Sequence, residues 1–116
     1  MKRLKKSYTS IIAATPTPVF VTLAENEVYS YPNPNAGEAN IRFPLAAPAE
    51  IHIEIQDING KHVWSKAFSA AETFRGINRV TWYGVNDLGQ QVGNGIYLLV
   101  ISAENKTVKK KIAIIR

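Results

Sequence analysis

Ile51-His52-Ile53-Glu54-Ile55-Gln56-Asp57-Ile58-Asn59-Gly60-Lys61-His62-Val63-Trp64 is the stretch from which the fold is read. Its first six residues alternate, with Ile51, Ile53 and Ile55 on one side and His52, Glu54 and Gln56 on the other. That is the period of a half-buried β-strand. Asp57 to Gly60 then fits a type I turn closed by a left-handed glycine, the three-residue hairpin form. The chain returns from about Lys61 to Phe68. With Gly60 as the bulge residue, Asp57 lies opposite Lys61 and Ile55 opposite Val63, which sends Val63 into the core and Trp64 outward beside Glu54. A two-residue Asn59-Gly60 turn would instead place Trp64 opposite Ile55, inside, because one residue of slip reverses every side chain. The Asp-x-x-Gly form suits the type I geometry, so the first register is expected.

Outward from this hairpin the same grammar repeats. Ile41, Phe43 and Leu45 alternate, and Pro44 marks an edge position or an early end. Ser69 to Gly76 reads as a loop, Ile77 to Trp82 as a strand, and Val85 to Gly95 as a long glycine-punctuated loop. Ile96 to Ala103 is a nearly continuous apolar strand, turned by Glu104-Asn105-Lys106 into a last strand from Thr107 to Ile115. Tyr31-Pro32-Asn33-Pro34 is turn-rich; its prolines hold the chain extended and remove two donors, which suits the rim of a sheet. Val19-Phe20-Val21-Thr22-Leu23 has the composition of a short extra strand. No stretch carries the i, i+3, i+4 stripe of an amphipathic helix, and turns recurring between short strands call for an all-β sandwich.

The 116 residues give one domain, and residues 28–116 are its expected extent. Residues 1–27 combine a basic start with a Thr/Pro-rich run from Thr9 to Pro18 that reads as an extended spacer. A signal peptide cleaved after Ala24, or the extra strand, is the alternative reading. The net charge of +5 comes from the ends. Lys2, Arg3, Lys5 and Lys6 open the chain, while Lys106, Lys109, Lys110, Lys111 and Arg116 close it. From Val28 to Asn105 there are five bases against seven acids, the wrong balance for a groove that tracks phosphates, so nucleic acid is not an expected partner. No run approaches the roughly 20 apolar residues of a membrane-spanning helix. There is no cysteine, hence no disulfide, thiolate nucleophile or Cys-ligated zinc.

No residue pattern here points to catalysis, a cofactor or a metal. His52 and His62 both face outward in the expected register but lie apart, His62 opposite Gln56 and His52 opposite Lys66, with no third ligand between them. No Gly-x-Ser-x-Gly elbow is present. Asp57 and Asp87 each precede Asn or Gly by two residues, the composition of Asx turns. Asn86-Asp87-Leu88-Gly89 offers too few oxygens for a calcium loop. Trp82 and Tyr83, as neighbours on a strand, point to opposite faces: Trp82 is expected to plug the core, and an outward Trp64 with Tyr83 could form an aromatic platform for a sugar or a protein.

Four marks in order carry a family resemblance. Tyr31-Pro32-Asn33-Pro34 is followed by Ala36-Gly37 and an alternating strand, and Asp57-x-x-Gly60-Lys61-x-Val63 forms the central hairpin. Trp82-x-Gly84-x-x-Asp87-x-x-Gly89-x-x-Val92-x-x-Gly95-Ile96-Tyr97 comes next, and the chain closes on Lys109-Lys110-Lys111-Ile112-Ala113-Ile114-Ile115-Arg116. From Val28 to Arg116 the chain resembles the Ig-like domain of flagellar hook-capping proteins and of the C-terminal sorting domains (type A) of type IX secretion cargo. The resemblance implies an Ig-like, fibronectin type III-like antiparallel sandwich of about seven strands. It also implies a non-enzymatic sorting and anchoring module of a secreted bacterial protein, carried through the periplasm to the cell surface and recognised by outer-membrane secretion machinery. Cargo normally places a large passenger ahead of such a domain, so the chain is expected to be either the tail of a larger protein or a small stand-alone member.

The expected recognition element is Lys109 to Arg116, a basic and apolar strand that a partner could pair with or peel from a sheet edge. Two other classes remain open at this point. One is a structural assembly subunit in which Val19–Leu23 adds to a neighbouring copy, and the other is a carbohydrate- or protein-binding accessory domain using Trp64 and Tyr83.

Overall fold

Seven strands form among the residues that the structure, a computed structural model, describes: Leu23, residues 25–104 and residues 106–116. They are β1 (Tyr29–Tyr31), β2 (Ala39–Leu45), β3 (Ile51–Asp57), β4 (His62–Phe68), β5 (Gly76–Trp82), β6 (Gly95–Ala103) and β7 (Lys106–Ile114). Every pairing between them is antiparallel, in one sheet of order β1-β2-β5 and a second of order β4-β3-β6-β7. The all-β sandwich expected from alternation is therefore the fold.

Alternation also builds the core. Ile41, Phe43 and Leu45 of β2 face Ile51, Ile53 and Ile55 of β3, Leu99 and Ile101 of β6, and Val108, Ile112 and Ile114 of β7, all buried. Each fully buried isoleucine or leucine contributes about 1.5–3 kcal/mol relative to an exposed one. Trp82 closes this core from the end of β5, fully buried, in edge-to-face contact with Tyr97 at 5.5 Å between ring centroids. Tyr83, one residue on, is exposed, as alternation requires.

Several expectations need correction. The first hairpin turn forms as read: Gly60 has φ 84°, its N–H donates to the Asp57 carbonyl at 2.9 Å, and Asp57 N–H donates to Lys61 C=O at 2.9 Å. Gln56 pairs with His62, but Val63 then bulges, so Ile55 pairs with Trp64 and His52 with Ala67. Trp64 consequently shares the side of Ile55 and packs against the core. It faces the core rather than joining outward-facing Tyr83, so the two do not form an aromatic platform.

β2 is the central strand of its sheet rather than an edge. Its partner β1 reaches only Asn40–Arg42, so at Pro44 the sheet has a neighbour on the β5 side alone, and a missing N–H is tolerated there. The stretch from Pro32 to Pro34 bends rather than extends, with cis peptide bonds at Tyr31–Pro32 and Asn33–Pro34. The expected strand over Val19–Leu23 falls on residues 19–22, outside the described residues. Leu23 itself lies outside any strand and is buried in the core.

Candidate functional site

The C-terminal strand is not a loose tail. β7 forms one edge of its sheet, paired with β6 from Ala103↔Lys106 to Gly95↔Ile114. Ile112 and Ile114 point into the core while Lys109 and Lys111 are exposed. Lys110 is half-buried on the inward side between Val108 and Ile112, where its aliphatic stem can lie along apolar surface.

The segment after β1 covers the outer edge of the last turn of β7. Asn33 uses its side chain as a strand would use its backbone: Nδ2–H donates to Lys111 C=O at 3.1 Å, and Oδ1 accepts Ala113 N–H at 2.9 Å. Asn35 N–H then donates to Ala113 C=O at 2.9 Å, and Ile115 N–H donates to Asn35 C=O at 2.8 Å, a parallel bridge beside Ile114. The bend at Tyr31-Pro32-Asn33-Pro34 thus carries the chain from an edge of the first sheet to an edge of the second.

Arg116 completes the closure. Its backbone N–H donates to Asn94 Oδ1 at 3.0 Å, and its guanidinium donates to Val92 C=O at 2.5 Å and to Gly84 C=O at 3.3 Å. Two glycines make room for that guanidinium. A Cβ on Gly84 (φ 69°) would stand 2.6 Å from Arg116 Nη2 and 2.9 Å from Gly37 C=O, and one on Gly37 (φ 116°) would stand 2.9 Å from Arg116 Nε. Any larger residue at either position would displace the arginine.

The loop between β5 and β6 holds these acceptors in place. Trp82 Nε1–H donates to Val85 C=O at 2.8 Å, Val92 N–H to Gly84 C=O at 2.9 Å, and the Tyr97 hydroxyl to Gly93 C=O at 2.7 Å. The Asx turn belongs to Asn86 rather than Asp87: Asn86 Oδ1 accepts the N–H groups of Leu88 and Gln90, both at 2.9 Å. Gly89, at φ 81°, closes that turn by donating to Asn86 C=O at 2.9 Å.

Asp87 has a different task. Its N–H donates to Val63 C=O at 3.0 Å and its Oδ1 accepts Ser65 N–H at 3.0 Å, so the loop docks on β4 at the bulge. His62 locks the join, with Nδ1 2.7 Å from Glu54 Oε2 and Nε2 2.5 Å from Asp87 Oδ2. The hydrogen bond with Glu54, then that with Asp87, raises the His62 pKa. The hydrogen bond with His62 in turn holds both carboxyls below their usual range, aided at Asp87 by Ser65 N–H. When the ring is protonated both nitrogens donate, one to each carboxylate, which makes the imidazolium a two-sided staple between Glu54 and Asp87.

The sequence marks therefore meet at one end of the sandwich. Tyr31 to Gly37, the Asp57–Gly60 turn, the loop from Gly84 to Gly95, and Ile112 to Arg116 surround that end, with Asp57 paired to Tyr97 and Tyr97 to Ile112. Nothing in the sequence pattern signals the roles of Asn35 and Asn94 or the reach of Arg116. Side-chain capping between residues 80 positions apart, as at Asn33 and Ala113, leaves no periodic signal.

Comparison with known proteins places this end in context. The family model described as secretion system C-terminal sorting domain matches residues 29–115. Among solved structures, the dimeric latent PorU of Porphyromonas gingivalis superposes with a TM-score of 0.61 at 23% identity, covering 76% of this chain and 9% of that one. PorZ, an essential surface component of the type IX secretion system of the same bacterium, gives a TM-score of 0.56 at 23% identity, covering 78% of this chain and 12% of that one. The chain thus spans about a tenth of the length of each structure it matches. None of the curated proteins matches it. These findings bear on the sorting-domain side of the resemblance and give no support to the hook-capping side.

Proposed function

The chain belongs to the secretion system C-terminal sorting domain family, and we propose that it is read by its secretion machinery as a folded surface rather than as a linear tail. Sorting, not catalysis, is the business of this family, and cargo that carries such a domain goes to the bacterial surface or beyond. The machinery we infer is the outer-membrane apparatus of type IX secretion, of which PorZ is a component in Porphyromonas gingivalis. One observation carries the reading: Lys109 to Arg116 comprises the second half of β7 and the two residues after it, and its end is clasped by Asn33, Asn35 and the loop from Gly84 to Asn94. What a partner meets is the outer side of that strand, with Lys109, Lys111 and Ile115 exposed.

The test is to fuse a signal peptide and a reporter passenger ahead of the complete chain in a bacterium possessing type IX secretion. The passenger should reach the surface or the medium, and the same passenger without the chain should stay in the periplasm. Equal distribution of the two would remove the sorting reading.

A further inference from the structure

We propose that the free edge of β7 from Thr107 to Lys111 is a docking site for an extended, acidic strand of a partner protein; the inference rests on the sorting role above. Backbone groups along β7 alternate between facing β6 and facing out. Ala113 N–H bonds outward to Asn33 and Ile115 N–H to Asn35, so the odd-numbered residues present their N–H and C=O outward. At 111–115 the outward side is filled: Lys111 C=O, Ala113 N–H and C=O, and Ile115 N–H all have partners in the 33–35 segment. Toward the β6–β7 turn that cover stops. Among the described residues nothing pairs with the outward groups of Thr107 and Lys109 or with Lys111 N–H.

This open stretch spans about 14 Å at the rise of an extended chain. A ladder of that length is sufficient in this fold, because β1 holds its place on β2 through the three pairs Tyr29↔Arg42, Ser30↔Ile41 and Tyr31↔Asn40. An exposed row of unpaired backbone groups is a template for strand addition.

Charge selects the occupant. Lys106, Lys109, Lys110 and Lys111 line the open stretch, β7 carries no acid, and among the described residues these lysines enter no ion pair. Across the ladder, Lys109 sits beside Val100 and Lys111 beside Leu98, so β6 supplies no carboxylate either. A second copy adding through its own β7 would set lysine against lysine, which is unfavourable for directly opposed side chains. Inward-pointing Lys110 is a further guard against indiscriminate edge pairing. An incoming strand that brings Glu or Asp to the positions opposite Lys109 and Lys111 satisfies backbone and charge together.

The test uses the passenger fusion carrying the complete chain. Lys109→Pro deletes one outward N–H while leaving the β6 ladder intact, and an edge strand accepts it. Lys109→Glu with Lys111→Glu keeps the backbone and reverses the charge. Both should cut export about tenfold or more, the scale of one lost hydrogen bond and its neighbours. Thermal unfolding of the purified variants checks that both fold. Export of Lys109→Pro at the wild-type level overturns strand addition. Failure of the charge reversal alone points to an anionic surface gripped by lysine side chains, and overturns it too. Retention of the wild-type fusion would instead remove the sorting role itself. As a readout that does not depend on the proline variant folding, a photo-crosslinking residue at Thr107 should capture an acidic, extended protein segment. Capture of lipid, of glycan or of a segment without carboxylates contradicts the proposal.

Discussion

Arg116 and Gly84 show how much one residue decides here. The guanidinium reaches Gly84 C=O and Val92 C=O only because neither Gly84 nor Gly37 has a side chain. Gly84 and Gly89 both sit at positive φ, 69° and 81°, where an L-residue costs about 1–2 kcal/mol. They differ in surroundings: a Cβ on Gly89 meets nothing within 4 Å, while one on Gly84 lands 2.6 Å from Arg116 Nη2 and 2.9 Å from Gly37 C=O. Gly89→Ala should therefore cost only the backbone term. Gly84→Ala should cost about 1–3 kcal/mol more, from overpacking. Urea unfolding of the two variants measures the difference, and equal losses would mean that the arginine moves aside freely. From sequence alone the two glycines look alike, since each is spaced within a turn-rich loop. Only the three-dimensional neighbour separates them.

At the scale of elements, every strand of five or more residues was legible because its pattern is local: Ile51, Ile53 and Ile55 declare a buried face without reference to anything distant. The short β1 was not, since three residues carry too little alternation to be recognised. The register of β4 failed for an instructive reason. The turn at Asp57–Gly60 was read correctly, and the slip arises beyond it, at Val63, whose carbonyl accepts Asp87 N–H. The partner that meets the bulge lies 24 residues downstream, out of reach of any turn rule.

The join between that loop and β4 should also titrate. His62 has a raised pKa, so its stabilisation is complete below its ordinary 6.5 and fades as pH rises through the higher folded value. Glu54 and Asp87 have lowered pKa values, so their share is complete above their ordinary 4.5 and 3.8 and fades as pH falls through the lower folded values. The staple is fully formed between about pH 4.5 and 6.5. His62→Ala should destabilise the domain in that window, and the gap from wild type should narrow at a second, alkaline pH above the raised folded pKa of the ring. Denaturation midpoints at the two pH values decide it; a constant gap would show that packing, not charge, is what His62 contributes.

For the molecule as a whole, the question is whether the sorting signal is a sequence or a shape. Deleting Lys109 to Arg116 cannot answer it, because the deletion also removes Ile112 and Ile114 from the core and strips β6 of most of its pairing with β7. At about 1.5–3 kcal/mol for each buried isoleucine, that loss alone approaches the net stability of a small domain. The reverse transfer does answer it. Appended to a passenger by itself, Lys109 to Arg116 has no Asn33 or Asn35 along its edge, no β6 to pair with and no loop to seat Arg116. An eight-residue strand without a sheet is not a stable structure in water. The octapeptide fusion should therefore remain in the periplasm while the fusion to the complete chain is exported, as fractionation and protease accessibility of the passenger would show. Export of the octapeptide fusion would mean that the machinery reads the final residues as an unfolded string. In that case the clasp holds the string until it is handed over, and variants that loosen it, such as Gly84→Ala, should be exported faster rather than slower.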